Sequence, residues 1–204
     1  MNKKDLILNA ILELLKEQSN ASISDIAKKA GIAKGGIYYY FNSKEEILNA
    51  LIERSYKEII NHCRKKLQET EGNALYKFQT LFTTYFSQHV NSEVDAHLHL
   101  AQNAELHQKS LAKISIELSR DLTDIFEQGI EEGIFCCSFP REYAEITVSV
   151  FSFLLDPGIF HWSIEEIKNK LQALADLLEK GLQSPDASMS FLYKGILFQT
   201  ENTK

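Results

Sequence analysis

Three adjacent tyrosines, Tyr38, Tyr39 and Tyr40, follow directly on the run Lys34-Gly35-Gly36-Ile37. A tyrosine carries a flat apolar ring and a hydroxyl that donates or accepts a hydrogen bond. On a helix advancing ~100° per residue, Ile37 and Phe41 fall on one side, Tyr39 points away from both, and Tyr38 and Tyr40 project to either flank. The three rings therefore cannot share one core. An outward ring costs free energy unless a partner covers it, and a duplex major groove offers thymine methyls and base edges as that cover. The flanking hydroxyls can reach phosphates, and Gly35 and Gly36 let a helix N-terminus aim amide hydrogens at a phosphate oxygen.

Other chemistry is sparse. None of the six histidines has a glutamate three residues before it, so the paired Glu-x-x-His of a di-iron bundle is absent. There is no His-Glu-x-x-His, no Gly-x-Ser-x-Gly and no phosphate loop ending in Lys-Ser/Thr. His97 and His99 point about 200° apart on a helix, and adding His107 does not repair that geometry, so no metal site is expected. The three cysteines, Cys63 and the adjacent Cys136 and Cys137, do not form a disulfide framework and read as reduced thiols of a cytoplasmic protein. The adjacent pair after Gly133-Ile134-Phe135 reads as a buried loop turn. No catalytic residue and no cofactor are expected. An all-helical enzyme or carrier without DNA binding is the rival class.

The elements that must position the tyrosines are legible. Leu6, Ile7, Ala10, Ile11, Leu14 and Leu15 recur at helical spacing over 3–18. Ser22 with Asp25 three residues on starts a second helix, and Gly31 fits the left-handed position past its end. Ile32-Ala33-Lys34 turns into a short helix over 35–41, with Ile26, Ala30, Ile32, Ile37 and Phe41 as its anchors and Ala27 as the small residue at the crossing. Ser43-Lys44-Glu45-Glu46 is a capping box that opens a long helix running past Leu67. Two short helices joined by a tight glycine-bearing turn form the helix-turn-helix arrangement.

The stretch Ile23 to Glu46 closely resembles the signature of the tetracycline-repressor (TetR) family, without a gap, over roughly the first quarter of the chain. The resemblance implies an all-α fold, with a three-helix DNA-binding domain over 1–47 and a larger helical ligand-binding and dimerisation domain over 48–204. It implies that Ser22, Ser24, Lys34, Gly35, Gly36, Tyr38, Tyr39, Tyr40 and Lys44 contact double-stranded operator DNA. It further implies a ligand-responsive regulator, a repressor before an activator. Charge distribution agrees. Residues 19–44 carry four lysines against Asp25, a net +3, whereas residues 55–204 carry 14 basic and 21 acidic side chains, a net -7, within a chain of net charge -6.

Past the break at Glu71-Gly72-Asn73, helices are expected near 74–91, 94–107, 109–131, 140–155 and 163–182, the last opened by the Ser163/Glu166 capping box. Ile164, Ile167, Leu171, Leu174 and Leu178 alternate spacings of three and four, as a seam against a partner helix does. Ile146, Val150 and Phe153 add a second face, so the two helices from each protomer would form a four-helix homodimer interface; packing within one protomer is the alternative. Phe78, Phe82, Tyr85 and His89 share a helix face, with Phe86 beside them and Phe126 and Phe151 able to oppose them. That stripe fits either plain core or the wall of a largely apolar cavity for a small-molecule effector. The longest uncharged apolar stretch near the middle, Ile146–Leu155, has ten residues, half of what a membrane span needs. After the break at Ser184-Pro185-Asp186, the residues Phe191, Leu192, Tyr193, Ile196, Leu197 and Phe198 are too apolar for a free tail and are expected to dock on some surface.

Overall fold

The computed structural model describes residues 2–17, 21–88, the backbone of His89, residue 94 and residues 98–194. The chain divides into two compact units: Met1–Glu58 with Asn91–Ser110, and Ile59–Val90 with Leu111–Lys204. Every regular element among the described residues is helical.

In the first unit, α1 (Lys3–Glu17), α2 (Ile23–Ala30), α3 (Lys34–Tyr38) and the first part of α4 (Lys44–Gln68) surround one small core. Ile7 and Ile11 from α1, Ile26 from α2, Ile37 from α3, and Ile47 and Leu51 from α4 are fully buried. Each such side chain contributes about 1.5–3 kcal/mol on leaving water. Polar ties fix the helices around this core. Lys29 reaches from α2 to Glu13 at 3.2 Å and Glu17 at 2.7 Å on α1, and Arg54 on α4 donates to Asn9 Oδ1 on α1 at 2.8 Å. Lys4 lies over the Phe41 ring, 5.3 Å from its centre.

The second unit contains the end of α4, then α5 (Ala74–His89), most of α6 (Ala104–Glu131), α7 (Pro140–Ser149), α8 (Ile164–Gly181) and the short α9 (Phe191–Lys194). A π turn, Val150–Leu154, continues α7. The break expected at residue 108 is absent: α6 begins at Ala104, after a 3-10 turn over Ala101–Asn103. The apolar stripe explains the difference, because Leu111, Ile114, Leu118 and Leu122 are all buried and the buried His107 and Ser110 extend that side without interruption. His97, Ile196, Leu197 and Phe198 lie outside the described residues.

Two further expectations are corrected. Cys136 is exposed and Cys137 half-buried; Phe135 takes the buried position, while the Cys136 N–H is held by the Leu182 carbonyl at 2.7 Å. Leu171, Leu174 and Leu178 are buried inside their own protomer, so this seam serves intramolecular packing and its leucines are not free for a partner helix. Ile164 remains exposed and Ile167 half-exposed. No described helix is long and apolar enough to cross a membrane.

Candidate nucleic-acid interface and effector cluster

The reading segment is built from its caps upward. Ser22 accepts from the Asp25 N–H at 3.2 Å, and the Asp25 carboxylate accepts from Ser22 N at 2.8 Å and Ser22 Oγ at 2.7 Å. The Ser22 hydroxyl holds the Asp25 carboxyl below its ordinary value. The hydroxyl proton of Ser22 is thus committed to the cap. Ser24, in the first turn of α2, is exposed. Gly31 ends α2 in the left-handed region, at φ 66°, where glycine meets no Cβ penalty.

α3 stops at Tyr38 rather than at residue 41, but the Tyr40 and Phe41 N–H groups both bond back to the Ile37 carbonyl, at 2.9 and 3.0 Å. The helical turn therefore persists through the tyrosines. Ile37 and Phe41 are buried, whereas Tyr39 is 82% exposed and Tyr38 50% exposed. Tyr40 is half-buried, with its ring edge-on to Tyr39 at 4.9 Å. The periodicity argument thus places the rings where the structure has them.

The two glycines differ. A Cβ on Gly36 would lie 2.8 Å from the Ile32 side chain, and the Gly36 N–H is bonded to the Ala33 carbonyl at 2.7 Å. Gly36 is therefore required by packing within the chain, and its amide is not available to a phosphate. A Cβ on Gly35 would meet nothing within 4 Å. No contact inside the chain requires glycine there. Lys28 and Lys34 are exposed. Lys29 belongs to the scaffold, since its bond to Glu17, then that to Glu13, raises its pKa. Lys44 is half-buried at the start of α4, where Ser43 Oγ caps the Glu46 N–H at 3.1 Å. The Glu46 carboxylate reaches back to Asn42 N at 2.6 Å, one residue before the position a regular box would use.

In the second unit the aromatic residues do converge. Phe78 meets Phe126 edge-on at 5.4 Å, Phe82 meets Phe86 at 4.7 Å and Phe151 at 4.8 Å, and Tyr85 meets Phe86 at 5.3 Å. The side chain of His89 lies outside the described residues. Phe191, expected to dock, does so: its ring packs edge-on against Phe78 at 5.3 Å, a place in the aromatic cluster that the sequence reading did not give it. Its only signal was apolarity after a helix break. Of the two alternatives for this stripe, the structure has the rings packed as core: the space among Leu81, Phe82, Tyr85, Leu118, Val148 and Phe151 is about 10 Å³. The π turn carries Phe151 into this cluster, and the neighbouring Ser152 hydroxyl lies 3.1 Å from that of Ser115 on α6. A polar groove of about 730 Å³ runs along the outer sides of α6 and α7, lined by Ser119, Arg120, Thr123, Arg141, Glu145 and Ser149 among others.

The outward face of α7 and the π turn presents Ile146, 61% exposed, and Phe153, with Val150 half-exposed beside them. α8 presents Leu177, 64% exposed, which the heptad reading did not single out.

Comparison with known proteins assigns both segments. The sequence pattern of bacterial regulatory proteins of the tetR family matches residues 7–51, and that of the tetracyclin repressor-like C-terminal domain matches residues 87–177. The chain is 32% identical over 192 residues to the fatty acid metabolism regulator protein of Bacillus subtilis (strain 168), covering 87% of this chain and 94% of that one. It is 30% identical over 118 residues to the HTH-type transcriptional repressor KstR2 of Mycobacterium tuberculosis, covering 56% of this chain and 58% of that one. The fold is that of the fatty acid degradation regulator FadR from Bacillus halodurans, with TM-score 0.61 at 23% identity over 96% of this chain and 97% of that one. It is also that of RolR in complex with resorcinol, with TM-score 0.63 at 15% identity over 94% and 93%. Since identity of this level extends along nearly the whole of a full-length regulator, and not along the helix-turn-helix alone, this chain belongs to the TetR family of DNA-binding transcriptional regulators and is not an enzyme.

Proposed function

We propose that the protein is a cytoplasmic homodimeric repressor that binds a palindromic operator and is released by a largely apolar effector. Residues 1–47 form its reading domain and 48–204 its sensing and pairing domain. The observation that carries the reading is the outward Tyr39 ring above buried Ile37 and Phe41, a large apolar surface that only a partner would cover. Ser24, Lys34, Gly35, Tyr38, Tyr39, Tyr40 and Lys44 form the contact surface, Ser22 serves as the cap that aims α2, and Gly36 holds α3 against Ile32. Pairing uses Ile146, Val150, Phe153, Ile164, Ile167 and Leu177, so that two α3 helices meet half-sites ~34–36 Å apart.

The effector acts at the cluster of Phe78, Phe82, Tyr85, Phe86, Phe126 and Phe151. Its chemical class is a fatty acyl chain, supported by the apolar lining and by the similarity to a fatty acid metabolism regulator. Effector binding releases DNA only because the effector prefers the form that mismatches the operator. Fluorescence anisotropy on inverted repeats from the protein's own upstream region tests the reading. Affinity must exceed that for random duplex and fall steeply with salt, because counterions are released on binding. Equal affinity for both duplexes overturns it.

A further inference from the structure

The densest ion pairing among the described residues lies away from both surfaces just described. Arg64, near the end of α4, directs its guanidinium at one stretch of α6. Its Nε lies 3.0 Å from both Asp121 carboxylate oxygens, and one terminal nitrogen lies 3.0 Å from the Glu117 carboxylate and 3.3 Å from the Glu117 carbonyl. Lys65 and Lys66 pair only locally, with Glu69 just past the end of α4, and Arg54 pairs with Glu58 one turn along the helix. Beside the arginine, Cys63 is fully buried, and burial pushes its thiol up to about 12. This end of α4 is therefore anchored by apolar contact and by a forked ion pair together.

α6 carries two functions on adjacent stripes. Glu117 and Asp121 hold Arg64, while Leu118, Leu122 and Phe126 are buried toward the aromatic side. Leu118 borders the small void, and the Phe126 ring is edge-on to Phe78. Glu117 directly precedes Leu118, and Asp121 directly precedes Leu122. A shift of α6 that makes room among the rings must carry both carboxylates with it. Burial raises the Asp121 carboxyl despite the arginine beside it, with Asp124 and Glu117 adding repulsion. Without Arg64 these carboxylates would stand together without that cation.

We propose that Arg64 is the coupling residue of the regulator: it makes α4 follow α6 when an effector enters the aromatic cluster. The proposal rests on the effector reading above. α4 is the helix that begins directly after the reading segment, at Lys44. A tie at its far end converts a displacement of α6 into a displacement of the helix that carries α3. A purely stabilising ion pair would affect folding alone. A coupling pair leaves both ligands bound and removes their mutual effect.

The test uses the full chain, as wild type, R64Q and the double variant E117Q/D121N, with circular dichroism to verify folding. Palmitoyl-coenzyme A is the probe. Its binding is measured by calorimetry, and release of a labelled operator fragment by anisotropy. In wild type, saturating probe should weaken operator binding by about tenfold or more, within the usual range of allosteric coupling. Both variants should bind probe and operator as wild type does, yet change operator affinity by less than about twofold on adding probe. Release in the variants equal to that in wild type overturns the coupling role. If wild type binds no probe, the acyl reading fails and a second measurement decides the coupling. Hydrogen exchange of the 45–58 amides should rise in R64Q while that of α8 stays unchanged. Unchanged exchange in 45–58 overturns the proposal.

Discussion

Replacing Tyr39 by alanine separates reading from folding more cleanly than any other single change. The ring is 82% exposed, and its one aromatic contact is the edge-on approach to Tyr40 at 4.9 Å. Such pairs contribute about 0.5–1.5 kcal/mol when packed, and the exposed setting argues for the lower end. A loss of about 0.5 kcal/mol corresponds to ~1–2 °C in Tm for a chain of this size. The effect on DNA is far larger. A good base contact is worth about 1–3 kcal/mol of discrimination, and a twofold dimer makes each contact twice. Tyr39→Ala should therefore lose about 2–6 kcal/mol of specific binding, between ~30-fold and ~10⁴-fold. Random-sequence affinity and salt slope should be unchanged, because the ring is neutral. Anisotropy titrations of operator and scrambled duplex at several salt concentrations, beside a melting curve, measure all three quantities. An equal loss on both duplexes would make Tyr39 a nonspecific contact, and no loss on either would remove it from the reading surface.

Three further outcomes follow from the same geometry. Ile146→Glu with Leu177→Glu places two charges on the exposed apolar positions of α7 and α8, and sedimentation equilibrium should then show monomers with intact helicity; a persisting dimer would relocate the interface. Affinity for straight-chain acyl probes should rise about fourfold for each added methylene, since burying one contributes ~0.8 kcal/mol, and a series flat in chain length would exclude the aromatic cluster as the site. The Ser163 backbone N–H and then its hydroxyl hold the Glu166 carboxyl below its ordinary value. The native form thus keeps Glu166 charged to lower pH than the unfolded chain does. The resulting stability is present above the ordinary value of 4.5 and lost as pH falls through the lower folded value. Glu166→Gln should flatten that acid limb in melting curves between neutral pH and pH ~3, and an unchanged limb would assign it to other carboxylates.

Local chemistry was legible in the residues, and long-range cover was not. Ser22 with Asp25 and Ser163 with Glu166 are capping boxes in the sequence and in the structure, because a cap involves residues only three apart. The outward Tyr39 was equally legible, since two anchors four residues apart fix the phase of one turn. Leu171, Leu174 and Leu178 show the limit: spacing says that they share a stripe but not which surface covers it, and their own protomer does. Gly36 resembled a contact residue because its partner Ile32, four residues earlier, is visible only once the turn is folded. Phe191 gave no periodic signal, standing in a helix of four residues after a proline-bearing break. The π turn leaves no trace in hydrophobic period, because five apolar or small residues in a row suit any helical winding.

The closed state of the aromatic cluster constrains what can open it. A void of about 10 Å³ is near the space one water occupies, so an effector at this site must displace side chains that are already packed. Displacing a single buried aromatic ring forfeits stabilisation of about 3–5 kcal/mol, judged from what its removal costs. A ligand of about six carbons gains roughly 5 kcal/mol from burial, which that loss consumes. About fifteen buried methylenes gain ~12 kcal/mol, enough to displace a ring and still leave binding in the micromolar range. The same excess is what shifts a population, because an effector moves the equilibrium only by its preference for the opened form. If the effector acts at this cluster, close packing at Phe82, Phe151 and Phe191 favours long apolar chains over small rings and makes opening of the cluster the step that effector binding must drive.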